Sequence, residues 1–354
     1  MSPADKSHRI KHLAADLGFD RVGIAPAESI RRSEYLRTWL DAGRAGTMAY
    51  LHRNHAIRTD PRGLLDQARS VIVVALNYRQ QEPEAPDDAR PHGRVAMYAW
   101  GDDYHDVLKQ RLHLLVDRMR LAIDEPFKTR CCVDTAPILE REWAEAAGIG
   151  WIGKNTMVLN QEMGSYFFLG EVVTTLELAY DEPLADHCGR CTRCLEACPT
   201  GAFPAAYEMD ASKCISYLTI EHRGDIPDTF HAPMGDWIFG CDICQQVCPY
   251  NRAAPLTDVF TVRPPGPMLP LQELLSWSSD EYRRTLKGST MKRAKPEMLQ
   301  RNAEIALGNA STNPSSQPIA RPSTQEVPQF GGAKQGGEAA EDQGSHGHAD
   351  RDFQ

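Results

Sequence analysis

The sequence predicts an α/β fold, a mixed sheet covered by helices, with a cysteine-rich module inserted behind it and a disordered tail at its end. Three observations carry this prediction. Over the first 185 residues, apolar positions switch between helical spacing and short β-branched runs. Eight cysteines then fall between Cys188 and Cys248. After Asn309 the composition turns to Ser, Pro, Gln, Gly and acidic residues with almost no apolar content, too little to bury and so to order itself. The expected organisation is an α/β core over 1–185, the module over 186–252, a helical segment over 253–308 and a disordered tail over 309–354.

Residues 4–17 place Ile10, Leu13 and Leu17 at helical spacing, and Arg21 to Ala25 reads as a short strand ended by Pro26. A helix is expected from Ser29, at the N-cap, to about Ala42. The run SVIVVAL, Ser70 to Leu76, has the β-branched character of a central strand. Asp103 to Leu121 returns to helical periodicity through Val107, Leu108, Leu112, Leu115 and Met119. Further strands are expected near Lys128–Val133 and within Ser165–Leu178, and residues 270–308 read as helical.

Cys188, Cys191, Cys194 and Cys198, followed by Pro199, spell C-x2-C-x2-C-x3-C-P, the spacing with which bacterial two-cluster ferredoxins hold cubane iron–sulfur clusters. A second run, Cys241-x2-Cys244-x3-Cys248-Pro249, lies beyond Cys214. Three thiolates on one tight loop cap three irons of a cube and cannot reach the fourth, so each cluster borrows a ligand from the other motif. Cys188, Cys191, Cys194 and Cys248 are assigned to one 4Fe-4S cluster, and Cys198, Cys214, Cys241 and Cys244 to the other. The module is thus ferredoxin-like, with its second half stretched by an insertion over 215–240 where a substrate or second cofactor could approach a cluster. Zinc is the rival reading of paired C-x2-C motifs, but it needs neither the uneven spacing nor the two prolines. A disulfide framework is disfavoured because the first twenty residues have no apolar export core. Cys131 and Cys132, beside Val133, read as buried strand residues.

The chain has 354 residues and a net charge of −9. No window approaches the ~20 consecutive apolar residues that span a bilayer. A soluble, cytoplasmic protein without a membrane partner is expected. Its overall charge conceals a basic stretch, Arg283, Arg284, Lys287, Lys292, Arg293, Lys295 and Arg301, against Glu281 and Glu297. That stretch reads either as a phosphate-contacting patch or as a solvated helix face.

The half that precedes the cysteines is far longer than an electron carrier needs. Its densest chemistry is VDTAPILEREW, Val133 to Trp143, followed by GIGWIGKNT, Gly148 to Thr156. Asp134 directly follows a strand end, where a sheet presents groups to a crevice, and reads equally as a helix N-cap or a catalytic acid. The nearby glycines permit close backbone approach to a ligand, but their spacing is not that of a dinucleotide site. His105 in GDDYHD reads as a structural histidine at a helix start.

VDTAPILERE, GIGWIGKNT, CGRCTRCLEACPTGA, CISYLT and GCDICQQVCP, in this order, resemble the epoxyqueuosine reductase family, bacterial enzymes of queuosine synthesis in tRNA. The likeness runs from the amino terminus to about residue 308, and KRAKPEMLQRNAEIALGN resembles the opening helix of the HEAT-like repeats of longer members. The resemblance implies a core and cluster module similar to those of reductive dehalogenases, and a cobalamin beside one of two 4Fe-4S clusters. It implies that electrons from an external low-potential donor pass through the clusters to cobalt, and that epoxyqueuosine at the wobble position of tRNA is reduced to queuosine. By position in the VDT motif, Asp134 is then the proton donor. Matching motif positions imply that cobalamin is held by Arg58, Ala96, Asp134, Val158, Ser216, Cys241 and Asp242. A monomer is expected. The alternatives are a reductive dehalogenase, disfavoured by the lack of a twin-arginine signal, and a two-cluster electron-transfer protein.

Overall fold

The computed structural model describes residues 1–84 and 86–312. The tail expected to be disordered lies, from residue 313 onward, outside the described residues. The core is a four-stranded sheet in the order β1-β2-β7-β4, built from β1 (Arg21–Pro26), β2 (Ser70–Asn77), β4 (Thr129–Cys132) and β7 (Phe167–Thr174). Its pairings are antiparallel throughout. The mixed pairing expected from the alternation of elements occurs instead in a small second sheet, where β3 (His92–Val95) runs parallel to β8 (Trp237–Phe239) and antiparallel to β9 (Met268–Pro270).

Every residue of β2 is buried, because helices cover both faces of the sheet. The period of two sends Ile72, Val74 and Leu76 to one face and Val71, Val73 and Ala75 to the other. On the first face lie α1 (Pro3–Ala15), through Ile10 and Leu13, and α4 (Tyr104–Ala122), through Leu108, Leu112, Leu115 and Met119. Each such side chain contributes roughly 1.5–3 kcal/mol by leaving water. Asp103 caps α4, its Oδ1 accepting the His105 backbone N–H at 3.2 Å. The second face receives α5 (Glu140–Ala146) through Trp143 and Ala144, with the hairpin of β5 (Trp151–Ile152) and β6 (Val158–Leu159) beside it. Cys131 packs on the first face and Cys132 on the second, as alternating strand residues do.

The helix expected from Ser29 begins later, as α2 (Ser33–Asp41). Ser29 Oγ donates instead to Asp60 Oδ2 at 3.3 Å, and Ile30 N–H to Thr59 O at 2.9 Å. The chain there is anchored to α3 (His55–Thr59) before it can coil.

The cysteine loops carry one-turn helices, α6 (Arg193–Glu196) and α9 (Ile243–Gln246), with α7 (Ile215–Ile220) and α8 (His231–Met234) between them. The segment 215–240 is folded onto the core through β8 rather than looped out. The C-terminal helices α10 (Leu271–Ser276), α11 (Ser279–Thr285) and α12 (Pro296–Thr312) close over it. Buried Asn302 on α12 donates to Thr219 O and Ile238 O, both at 2.9 Å. No helix among the described residues is long and apolar enough to cross a membrane.

Candidate active site and cluster module

The charge interactions among the module cysteines run mainly within two sets, with Cys244 also sensing Cys194 of the other set. The buried Cys248 thiol is pushed up to about 11 by burial and then by the neighbouring thiols of Cys194, Cys188 and Cys191. Cys194 is also pushed up to about 11, by burial and then by Cys188 and Cys191. In the other set, burial and then Cys198 bear on the thiol of Cys214, and burial with Cys244 and Cys214 on that of Cys241. Burial disfavours thiolates, so thiols this enclosed ionise together only around a positive centre that takes their charge. The donor set therefore suits iron–sulfur clusters.

The GIGWIGKNT segment braces this module. Lys154 Nζ donates to Gly189 O at 2.6 Å and Cys191 O at 3.0 Å, within the first cysteine loop. Asn155 Nδ2 donates to Cys244 O at 3.4 Å. Trp151 packs edge-on against His187 and Tyr250. Its glycines serve the chain itself rather than a ligand: a Cβ on Gly150 would lie 2.2 Å from Leu159 O, and one on Gly148, at φ +67°, 2.6 Å from Glu182 O. Close approach was legible in the glycines, but not which partner approaches.

Asp134 sits just past β4 with φ 46°, a left-handed conformation uncommon for a residue with a side chain. Its backbone N–H donates to Glu140 Oε1 at the start of α5, and its half-exposed carboxylate reaches His105 Nε2, with Oδ2 at 3.1 Å. The N-cap reading is thereby set aside, since Leu139 is the residue that precedes α5. His105 Nδ1 lies 2.7 Å from Asp103 Oδ1, and Lys292 Nζ lies 3.0 Å from the other Asp103 oxygen. Burial pulls the His105 imidazolium down, but its bonds to Asp103 and Asp134 outweigh this and hold it up at about 9. Burial pushes Asp103 up, yet the hydrogen bonds from His105 and Lys292 keep it below the usual carboxylate range. The reading of His105 as a structural residue missed this contact, because Asp134 is remote in sequence and only the fold brings it near.

Two further carboxyls lie beneath. Burial, then the charge of Asp134, pushes Glu140 up to about 7. Glu171, opposite Val73 and Cys132 in the sheet, is fully buried with neither oxygen partnered, and burial drives it well above the carboxylate range. Sequence reasoning passed over Glu171, a single acid within an apolar strand.

Most other predicted contacts converge on the same region. Arg58, half-buried, faces Tyr50 and Asp134, and its Nε is buried without a partner, as is His55 Nε2. Ala96 is buried against Gly240, whose added Cβ would meet it at 2.5 Å, beside Cys241. Asp242 accepts the Met97 N–H at 2.7 Å, and burial pushes it up to about 7. Tyr98 faces both Asp134 and Asp242, and Ser216 lies half-buried on α7 in the same layer as Cys214 and Ala96. Val158 stands apart, packed under α5 with Ile138 and Trp143.

The basic stretch is largely engaged within the chain. Arg293 makes a two-pronged pair with Glu221 at 2.9 and 3.1 Å, Arg301 donates to the carbonyls of Leu218, His222 and Gly224, and Arg283 pairs with Asp280. Arg284 and Lys287 are exposed and make no ion pair among the described residues.

The chain is similar to known proteins over most of its length. A family model described as "4Fe-4S double cluster binding domain" matches residues 187–251, and one described as "Epoxyqueuosine reductase QueG, DUF1730" matches residues 58–135. The chain is 44% identical over 299 residues to an epoxyqueuosine reductase of Leadbetterella byssophila, covering 84% of this chain and 97% of that one. A crystal structure of epoxyqueuosine reductase with an epoxyqueuosine-modified tRNA-Tyr stem loop superposes with a TM-score of 0.80 at 33% identity, covering 87% and 83% of the two chains. A structure of the Bacillus subtilis epoxyqueuosine reductase, with its catalytic aspartate loop swung out of the active site, gives 0.79 at 32% identity and the same coverage.

Proposed function

The chain belongs to the epoxyqueuosine reductase family, and from that premise we propose how it reduces epoxyqueuosine to queuosine in tRNA. The observation that carries the proposal is Asp134, a half-exposed carboxyl group held at a strained turn within reach of a cationic histidine, with Tyr98 facing both it and Asp242, the neighbour of Cys241. We assign Cys188, Cys191, Cys194 and Cys248 to one 4Fe-4S cluster and Cys198, Cys214, Cys241 and Cys244 to the other, as their mutual proximity supports.

Cobalamin fits the surroundings of Asp134. Arg58 Nε and His55 Nε2 are buried polar atoms awaiting a partner, and the close Gly240–Ala96 approach leaves a small-residue surface beside Cys241. Arg58, Ala96, Ser216, Cys241 and Asp242 would hold it, with Val158 shaping the apolar layer behind. When bound, it supplies a strongly reducing cobalt fed by the clusters from an external low-potential donor. The protein supplies the rest. Reduction of the epoxide to the alkene consumes two electrons and two protons, and the oxygen leaves as water. Asp134 is the group that hands protons to that oxygen. Tyr98 and Tyr104, whose hydroxyls burial holds far above neutral, line the site without ionising. An anionic tRNA and the basic residues near α11 are complementary in charge.

The test is anaerobic turnover of epoxyqueuosine-containing tRNA with cobalamin and a strong reductant, read by nucleoside mass spectrometry. Conversion by the parent chain and loss of at least ~10²-fold in Asp134→Ala are expected. Full activity in the variant would overturn the assignment of Asp134.

A further inference from the structure

Both protons of this reaction end on one oxygen atom, which departs as water. A single carboxyl group carries one proton, so a donor at that position must be refilled within the turnover. Resting on the functional reading above, we propose that His105 returns the proton to Asp134, with Asp103 and Lys292 holding its ring in place.

The geometry carries this. His105 Nε2 is 3.1 Å from Asp134 Oδ2, within hydrogen-bond reach, while Nδ1 is fixed on buried Asp103 at 2.7 Å. The ring is further stacked on Tyr104, with centroids 4.1 Å apart. Asp103 is in turn held by Lys292 at 3.0 Å. The other groups facing Asp134 are poor sources. Glu140 meets Asp134 through Oε1 at the backbone N–H and not at the carboxyl group. Tyr50, Tyr98 and Tyr104 hold their protons tightly because they are buried, and Arg58 and Arg293 are guanidinium ions that do not release theirs. Glu171 is sealed in the sheet below.

The proton count balances. Asp134 gives its carboxyl proton to the epoxide oxygen as the first carbon–oxygen bond breaks, leaving a carboxylate. The imidazolium Nε2–H bond then breaks as a new O–H bond forms on Asp134, and His105 becomes neutral while keeping its Nδ1–H on Asp103. Asp134 delivers this second proton as the oxygen leaves as water, and solvent then returns two protons, one to His105 and one, by way of it, to Asp134. The two electrons come from the external low-potential donor by way of the clusters. His105 touches neither substrate nor cofactor in this scheme; it acts through Asp134.

His105→Gln keeps an amide that can bond Asp134 but cannot carry the proton. Its kcat is expected to fall by roughly 10²-fold with KM for the modified stem loop unchanged. The alkaline fall in kcat of the parent, as His105 discharges near 9, should vanish, and imidazole should restore part of the activity of His105→Ala. Independently of turnover, the His105 ring nitrogens followed by NMR should titrate at lower pH in Asp134→Asn. Parent-like kcat and pH profile in His105→Gln overturn the proposal while leaving the functional reading intact. So do loss of activity without imidazole rescue, which marks a merely structural role, and an unmoved His105 titration in Asp134→Asn. A parent chain inactive on epoxyqueuosine overturns the functional reading, and this proposal with it.

Discussion

Lys292 Nζ lies 3.0 Å from Asp103 Oδ2, which ties one cation of the C-terminal basic stretch to the carboxylate that steadies His105. The stretch is therefore two populations. Lys292, Arg293 and Arg301 are bonded to Asp103, Glu221 and the Leu218 carbonyl and so tie the start of α4, α7 and α12 together, the first two from exposed positions, whereas Arg284 and Lys287 are exposed and make no ion pair among the described residues.

Nucleic-acid binding should divide along that line. The double variant Arg284→Ala/Lys287→Ala is expected to weaken binding of the anticodon stem loop and to lower the slope of log K against log salt by about 1–2, as two lost phosphate contacts require. Lys292→Ala should leave the slope unchanged while lowering the melting temperature, because Asp103 loses a partner inside the fold. Fluorescence anisotropy across ~50–200 mM salt reads the first, and thermal unfolding the second. An unchanged slope in the double variant would remove these two residues from the interface.

Glu171 makes a prediction about stability. Its folded-state pKa lies well above the ordinary 4.5. The folded state thus binds a proton more tightly than the unfolded one, so its stabilising contribution is complete below 4.5 and is lost progressively as pH rises above that value. Glu171→Gln keeps the shape and removes the ionisation. The variant is expected to match the parent near pH 4–5 and to melt about 2–5 °C higher at pH 8. Calorimetry across that range tests it; a variant that is less stable than the parent at pH 8 would mean that the carboxylate finds a stabilising partner in the folded protein.

These two cases show what the sequence could carry. The strand Ser70–Asn77 and the helix Tyr104–Ala122 were legible because their apolar periods are long and are satisfied by one contiguous core. The cysteine spacing was legible because cluster geometry constrains it locally. Asp134 was singled out only through the resemblance of its motif, since its place after a strand end read equally as a helix N-cap. Glu140 and Glu171 were not assigned roles and His105 only a structural one, because their chemistry depends on the pairing of α4, α5 and β7 around Asp134, which no local pattern encodes. The later start of α2 has the same origin, a competing anchor at Asp60 some thirty residues on.

The link between the core and the clusters gives the last prediction. Lys154 is half-buried, and its ammonium group bridges Gly189 O and Cys191 O, with Tyr207 N–H donating back to Lys154 O at 3.0 Å. Hydrogen bonds from a charged donor contribute roughly 1.5–3 kcal/mol, and here two of them shape the loop that presents Cys188, Cys191 and Cys194. Lys154→Met retains length and apolar bulk but leaves both carbonyls unpartnered. The cluster on Cys188, Cys191, Cys194 and Cys248 should become labile while the other persists, since the Cys214, Cys241 and Cys244 side of the module is held by other contacts. Iron content is then expected to fall from about eight towards about four per chain on brief exposure to air, as two cubane clusters become one. Electron paramagnetic resonance of the reduced protein should lose the signature of cluster–cluster coupling. Full iron content with the coupled spectrum intact would show that the cysteine loop keeps its shape without Lys154.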